Sequence, residues 1–192
     1  MTFPDNFGGN MDYNGMGAGA IVMLPLFEPG ALFFLGDGHA RQGDGEAVGS
    51  AIETSLDVEF SVDLIKGKKT NWPRLENANF IMVLGSSRAI NETLQRASTE
   101  LMRWLLADYG FDERGASLLM GHGMEYDISN IVDPEFTVAA KMRKRYLPRR
   151  LGRRASFPHI GSLPGVRRGR IITLDHDHFG SLKGRGACIT LR

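Results

Sequence analysis

Cysteine is almost absent from this 192-residue chain, and the single one, Cys188, lies near the C-terminus. One cysteine excludes an internal disulfide, so we expect an intracellular, cytoplasmic location. The chain also lacks an apolar run long enough to span a bilayer. Its first residues, MTFPDNFGGN, contain neither the basic nor the apolar segment of a secretory signal peptide. We therefore expect no contact with a membrane.

Two motifs common in hydrolases and nucleotide-binding proteins are missing as well. The sequence contains no G-x-S-x-G nucleophile elbow and no phosphate-binding G-x-x-x-x-G-K. A cysteine nucleophile at Cys188 is disfavoured because this residue is the fifth from the C-terminus. If the chain is a hydrolase, these absences favour a carboxylate or a metal-activated water over a serine or cysteine nucleophile.

The near-neutral net charge of +1 conceals a strong asymmetry along the chain. Residues 1–140 hold 20 acidic and 9 basic residues, a net charge of −11, whereas residues 141–192 hold 2 acidic and 14 basic residues, a net charge of +12. Such a split indicates two regions with different physical properties. We predict a domain over residues 1–141 and a basic, arginine-rich tail of uncertain order over residues 142–192.

The acidic region has the pattern of an α+β domain. The whole chain contains 24 glycines, which indicates many turns. Strands are predicted at residues 20–27, 31–35, 79–85 and 126–134, and again at residues 55–65. In that last segment Leu56, Val58, Phe60, Val62 and Leu64 alternate with polar residues, which predicts one shared buried face. We expect a β-rich antiparallel sheet or sandwich with one main amphipathic helix.

That helix follows from a change in the spacing of apolar residues. From Ile90 to Leu105 they recur at helical intervals. Ser87 or Asn91 is predicted to cap its start, and Gly110 to supply the left-handed residue after its end. A second, shorter helix is predicted to begin at Asp112.

The segment LGDGHARQGDGE, Leu35–Glu46, contains two Gly-Asp-Gly units in close succession. Residues two positions apart in an extended chain point to the same side, so Asp37 can converge with His39, and Asp44 with Glu46. A mixed set of histidine and carboxylates suits Zn²⁺ or another divalent transition metal, whereas an all-oxygen set would suit Ca²⁺. The alternative is that each Gly-Asp-Gly unit is only a tight turn, with its side chains in solvent.

Other candidate residues have simpler interpretations. Asn10 and Asp12 lie in GGNMD, which is typical of a glycine-led turn. His122 lies between glycines and is more typical of a loop residue than of a ligand. The segment DHDH, Asp175–His178, has ligand types at alternate positions, but it follows the basic stretch and is more simply a surface cluster.

Several of these segments together resemble the acetamidase/formamidase family. The similarity covers Phe7–Ala140 and includes GGNMD, the long block LPLFEPGALFFLGDGHARQGDGEAVGSAIETSLDVEFSVDL, the helix around LQRASTELMRWLLADYG and YDISNIVDP. The resemblance implies a β-rich fold with flanking helices. It also implies an enzyme that hydrolyses formamide or acetamide to the acid and ammonia. Relatives have a further β-rich region before this segment, so the domain is expected to be N-terminally incomplete. They also normally end close to Met142, which makes a shifted reading frame one explanation for the basic tail.

The resemblance also implies which residues form the site. Carrying the motif over assigns the metal to Asp37, His39 and Glu53, catalysis to Glu46 and Asp44, and substrate binding to Asn10 and Asp12. The expected cofactor is a divalent metal, Zn²⁺ or Ca²⁺. The expected partners are a small amide substrate and further copies of the chain in a homo-oligomer.

Two alternative functions remain from the sequence. The basic segment Arg143–Arg170 could neutralise the phosphates of a nucleic acid or bind another acidic partner, although a solvated extension is the simpler interpretation. The chain could also be an inactive fragment whose sheet edges, open without the preceding region, favour association.

Overall fold

The computed structural model describes residues 3–30, 32–65 and 67–149, and three strands of the basic tail, at residues 172–174, 180–183 and 188–191. The predicted cluster at Asp175–His178 and most of Arg143–Arg170 lie outside the described residues.

The described chain contains thirteen strands, two α-helices and two short 3₁₀ helices, at Asp44–Glu46 and Lys144–Tyr146. The helices are α1 (Ile90–Tyr109) and α2 (Glu113–Gly123). The strands are β1 (Ile21–Met23), β2 (Leu32–Leu35), β3 (His39–Arg41), β4 (Ile52–Glu53), β5 (Leu56–Val58), β6 (Phe60–Val62), β7 (Arg74–Glu76), β8 (Phe80–Ser87), β9 (Met124–Asn130), β10 (Phe136–Arg143), β11 (Ile172–Leu174), β12 (Gly180–Lys183) and β13 (Cys188–Leu191).

An antiparallel sheet forms the centre of the molecule and confirms the predicted α+β class. Its strand order is β6-β13-β1-β7-β8-β10-β9. The two longest strands, β8 and β10, pair along their full length, with Ile81 opposite Met142 and Ser86 opposite Thr137. Successive residues of β8 point to opposite faces of the sheet, so the strand contributes to a core on each side.

The first core lies between the sheet and the helices. The predicted helical spacing is confirmed, because Leu101, Trp104 and Leu105 of α1 are fully buried and pack with Ile81 and other residues of β8 and β10. Arg74 of β7 forms a buried ion pair with Glu100 of α1 at 2.5 Å. This pair fixes the position of the helix on the sheet, because breaking a buried ion pair leaves an uncompensated charge.

Of the two predicted ends of α1, only the C-terminal one is confirmed. Gly110 adopts the predicted left-handed conformation, with φ of 73°. The predicted cap at the start is wrong: Ala89 occupies that position without a side-chain hydrogen bond. Ser87 instead ends β8, where its hydroxyl donates to the Glu92 carboxylate at 2.7 Å. As predicted, Asp112 precedes the second helix, and its carboxylate caps the Gly115 N–H.

The second core covers the opposite face of the sheet. It contains Phe33, Phe60, Tyr13 and Leu75, with the rings of Phe33 and Phe60 5.6 Å apart. Of the five alternating residues predicted to share a buried face, only Phe60 is fully buried, and Leu56 is 39% exposed. The prediction is confirmed in part, because Val58 and Val62 are partly buried and pack against the same core as Phe60. The segment breaks at Glu59 into two strands with different partners, β11 for β5 and β13 for β6. The shared face therefore joins Val58, Phe60 and Val62 across the break but does not include Leu56.

The predicted division near Met142 falls inside β10, which continues to Arg143. Three short strands of the basic region pair with the acidic region, β11 with β5, β12 with β2, and β13 with both β1 and β6. The division into two domains stays a prediction. Neither described helix is long and apolar enough to cross a membrane.

Candidate active site

The glycine-rich segment forms a hairpin beside the edge of the central sheet. Strand β3 pairs with β4, which places His39 opposite Glu53. Between them, the backbone oxygen of Gly45 accepts a hydrogen bond from the Ile131 N–H at 2.9 Å. Glycine is required here because Gly45 has φ of 75° and a Cβ would lie 2.9 Å from the Ile131 side chain. The hairpin is thereby held close to the end of β9.

His39 lies at the centre of the site. Its side chain is only 9% exposed, and its Nε2 atom lies 3.2 Å from a Glu53 oxygen and 3.4 Å from an Asp37 oxygen. Within the described part of the chain this buried Nε2 makes no hydrogen bond of acceptable geometry. A buried polar atom without a partner is rare in folded proteins, and it commonly indicates a missing ligand or ion.

Four carboxylates surround His39. Single ligand atoms of Asp12, Asp37 and His39 lie within 4.8 Å of one another, and the same holds for His39, Glu46 and Glu53. Three of these acids, Asp12, Asp37 and Glu46, are the non-glycine residues of the described chain with positive φ, at 27°, 63° and 47°. Such conformations are unfavourable for L-residues and concentrate at functional sites, where surrounding structure enforces them.

The carboxylates line a cleft of about 270 Å³, a volume suited to a small molecule. Most of its wall is polar, and a short apolar section completes it. The lining residues are Asn10, Asp12, Asp37, Glu46, Gly49, Glu53, Val132, Asp133 and Pro134.

A network of amides and carboxylates fixes one side of the cleft. The Asn130 side-chain amide donates to Asp12 and to Asp133, each at 3.0 Å. Asn10 donates to the same Asp133 oxygen at 2.6 Å. The Asn130 oxygen in turn accepts from the backbone N–H of Val132 and of Asp133. These bonds hold the Asp12 carboxylate beside His39.

The crowding of acids changes the proton affinity of the site. Burial raises the pKa of Asp12, and the charge of Asp37 raises it further. Burial also raises the pKa of Glu46, with Asp12 as the next contribution. Burial alone would lower the pKa of His39, but its hydrogen bond to the Gln42 oxygen and the charges of Glu53, Asp37 and Asp12 outweigh burial, so the pKa of His39 is raised. The cleft therefore favours added positive charge.

These features fit a divalent cation. The orphaned His39 nitrogen and the surrounding carboxylate oxygens make up the mixed donor set that Zn²⁺ and related metals bind. A cation at this point would supply the partner that Nε2 lacks and offset the repulsion between the acids.

Most of the site residues expected from the sequence come together in this cleft, namely Asn10, Asp12, Asp37, His39, Glu46 and Glu53. Asp44 does not line it; its carboxylate accepts a hydrogen bond from Asn14 at 3.1 Å. His122 lies elsewhere on α2, with Nδ1 2.6 Å from the Leu118 carbonyl oxygen.

Sequence reasoning missed three residues that organise the site, Gln42, Asn130 and Asp133. Asn130 and Asp133 belong to YDISNIVDP, which the sequence identifies only as strand-like. Their partners Asp12 and Asn10 lie 118 and 123 positions away, so no local pattern could reveal these contacts.

Comparison with known proteins identifies similar proteins from one family. The model of the acetamidase/formamidase family matches residues 2–143. The acetamidase of Mycolicibacterium smegmatis is 42% identical over 65 residues, which are 33% of this chain and 16% of that protein. The crystal structure of the acetamidase from Yersinia enterocolitica shares 38% identity at a TM-score of 0.68, and the match covers 75% of this chain and 44% of that one.

A second solved structure is that of a protein from Thermoanaerobacter tengcongensis described as a predicted acetamidase/formamidase. It shares 27% identity at a TM-score of 0.68, over 75% of this chain and 48% of that one. The chain thus spans less than half the length of either solved relative. Because the family model nevertheless matches most of its residues, the chain belongs to the acetamidase/formamidase family.

Proposed function

We propose that the chain is an amidohydrolase that converts short aliphatic amides, such as formamide and acetamide, to the carboxylic acid and ammonia. The observation that carries this proposal is the buried Nε2 of His39, which lies among carboxylates in a small cleft and has no hydrogen-bond partner within the described residues. The names of the acetamidase relatives support the substrate class.

In this proposal His39, Asp37 and Glu53 hold a divalent cation, Zn²⁺ or Ca²⁺. When bound, such an ion polarises the amide carbonyl and makes a water molecule more acidic. The presence of an imidazole ligand favours Zn²⁺, since Ca²⁺ prefers oxygen ligands throughout.

Glu46 is the general base in this scheme. Its carboxylate lies within 4.8 Å of the candidate ligand atoms of His39 and Glu53, and burial raises its pKa. A raised pKa brings a carboxylate closer to the pH at which it can both accept and return a proton. Glu46 takes the proton of the attacking water and delivers it to nitrogen as the C–N bond breaks and ammonia leaves.

Asn10 and Asp12 orient the substrate. The Asn10 nitrogen donates to Asp133, so the Asn10 oxygen can accept from the N–H₂ group of an amide. Val132 and Pro134 line the apolar section of the cleft, where a methyl or shorter acyl group would lie. The size of the cleft favours amides of a few heavy atoms over peptides.

The test is ammonia release from formamide and acetamide by the purified full chain, with Zn²⁺ or Ca²⁺ at one equivalent and after chelation. We expect turnover only with metal. Glu46→Gln should lower kcat by roughly 10²–10⁴-fold, the usual contribution of general acid–base catalysis.

Asp44→Asn is the matched control, because this acid belongs to the same loop without lining the cleft. It should keep turnover near that of the original chain. The proposal fails if the folded, metal-loaded chain releases no ammonia, or if Glu46→Gln and Asp44→Asn turn over equally fast.

A further inference from the structure

Gln42 connects three separate segments of the chain behind His39. Its side-chain nitrogen donates to the backbone oxygen of Asp12 at 2.7 Å and to that of Ser129 at 3.1 Å. Its side-chain oxygen lies 3.0 Å from Nδ1 of His39. The residue lines neither the cleft nor an apolar core, so its contribution is through these hydrogen bonds.

The two carbonyl contacts fix the orientation of the Gln42 amide. Backbone carbonyl oxygens only accept hydrogen bonds, so the N–H₂ group must face Asp12 and Ser129. The Gln42 oxygen consequently faces His39, where it can only accept. Nδ1 of His39 must then carry a hydrogen, which leaves the lone pair of the neutral ring on Nε2.

This tautomer directs the lone pair into the carboxylate cluster. Nε2 is the atom that lies beside Asp37 and Glu53 and makes no hydrogen bond within the described chain. In water a neutral histidine side chain favours the opposite tautomer, with the hydrogen on Nε2. A hydrogen in that place would point at the position of a cation and prevent coordination. Metal-binding histidines are commonly fixed by a partner on the other ring nitrogen for this reason.

We propose that Gln42 is a positioning residue that holds His39 in the Nδ1–H tautomer and thereby presents Nε2 to a divalent cation. This inference rests on the proposed function of the cleft as a metal site. The same amide donates to the backbone of Asp12, whose φ is positive, so it also supports a second wall of the cleft.

The first test is the tautomer of His39 in the metal-free full chain, read from long-range proton–nitrogen correlations of the ¹⁵N-labelled rings. Spectra are taken at a pH well above the pKa of the His39 imidazole, so that the ring is neutral. The His39 signals are assigned from their absence in His39→Ala. We expect Nδ1 to be protonated and Nε2 to be unprotonated. The opposite result in the unsubstituted chain overturns the proposal without any Gln42 variant.

Two substitutions distinguish control of the His39 tautomer from a purely structural role of the Gln42 side chain. Gln42→Glu and Gln42→Met both lose the donors to Asp12 and Ser129, but only the glutamate keeps an acceptor for Nδ1–H. We expect His39 to stay in the Nδ1–H form in Gln42→Glu and to shift towards Nε2–H in Gln42→Met. Zn²⁺ affinity, measured by competition with a chromophoric chelator, should fall about 10–100-fold in Gln42→Met and by less in Gln42→Glu.

Equal tautomer populations in the two variants would show that Gln42 is only structural and would overturn the proposal. If Gln42→Met does not fold, Gln42→Glu decides, because an Nε2–H form there is equally contrary. Neither readout depends on hydrolysis. A chain that releases no ammonia can therefore still show the predicted tautomer, and an active chain can fail to show it.

Discussion

The helix-covered face of the sheet and the cleft at its edge are stabilised by different interactions. On the helix-covered face, Leu101 and Trp104 of the long helix α1 are completely buried. Here the helical spacing of the apolar residues matches the face that packs on the sheet. Around the cleft, β3 and β4 have three and two residues, and Val48 in the loop between them is 89% exposed. The first region derives its stability from buried apolar area, whereas the second depends on glycine turns and polar networks.

The two regions also treat left-handed backbone differently. At the end of α1 that conformation falls to Gly110, which adopts it at little cost. At the cleft, Gly45 and Gly49 adopt it as well, but so do three non-glycine residues, Asp12, Asp37 and Glu46. The cleft thus combines a conformational cost with like charges, and the proposed cation would offset the like charges. Four experiments test this difference between the two regions.

The largest effect should come from His39→Ala. Loss of the nitrogen ligand should remove Zn²⁺ binding and ammonia release together, since the remaining oxygens favour harder ions. The free energy of unfolding of the metal-free chain should fall by only about 1–3 kcal/mol, the cost of leaving the Gln42 oxygen unpaired. Metal content, turnover and urea unfolding measure the three quantities.

His122→Ala is the matched control for that experiment, because His122 is exposed on α2 and its Nδ1 lies 2.6 Å from the Leu118 carbonyl oxygen of the same helix. It should change neither metal content nor turnover. Equal Zn²⁺ binding by His39→Ala and the unsubstituted chain would remove His39 from the ligand set.

Next in size is Phe60→Ala in the core opposite the helices. Phe60 is 3% exposed and packs against Phe33, so its truncation should lower the free energy of unfolding by about 3–5 kcal/mol. Leu56→Ala, at 39% exposure, should cost about 0.5 kcal/mol or less. Denaturant unfolding of both variants compares them directly. Similar losses at the two sites would show that the buried face of this segment extends to Leu56.

The same contrast explains which parts of the fold the sequence predicts. Ile90–Leu105 keeps one period over several turns, and α1 follows it closely. Residues 55–65 keep an equally regular alternation, yet the chain breaks at Glu59 because its halves pair with β11 and β13, far along the chain. A local period predicts an element reliably only when its partner is a continuous surface.

Prediction of the site shows a parallel limit. Asp37 and His39 converge as their spacing of two positions predicts. Glu46 also approaches His39, although its spacing pairs it with Asp44. Asp44 has the same Gly-Asp-Gly context as Asp37, but it faces Asn14. The contacts of Gln42 with the Asp12 and Ser129 backbone span 30 and 87 positions. Only the fold brings such groups together, so spacing identifies ligands but not the residues that orient them.

A smaller effect is expected from Gly110→Ala at the end of α1. The residue has φ of 73°, and a Cβ in that conformation costs roughly 1–2 kcal/mol. Gly121→Ala is the control, because this glycine lies within α2, and a Cβ there would meet no atom within 4 Å. That change should stabilise the chain by about 0.5–1 kcal/mol. Thermal or urea unfolding gives both values, and a neutral Gly110→Ala would contradict the proposed use of glycine at this terminus.

The smallest effect concerns the pH dependence of stability in the cleft. Burial, followed by the charge of Asp12, raises the folded-state pKa of Glu46. Below the unfolded-state pKa both states hold the proton, so Glu46 and its neutral substitute glutamine differ little. As the pH rises from that value through the raised folded pKa, the unfolded state releases its proton first, and the folded chain loses stability.

The unsubstituted metal-free chain should therefore become progressively less stable than Glu46→Gln across this window, and the difference should level off above it. Urea unfolding of both proteins at a series of pH values measures the effect. Saturating Zn²⁺ should shrink or reverse the difference, because a cation offsets the repulsion that Glu46 meets from Asp12 and Asp37. Curves that stay parallel from acid to neutral pH, with or without metal, would mean that Glu46 is solvated like an ordinary surface acid. The cleft would then lack the electrostatic strain that distinguishes it from the helix-covered face.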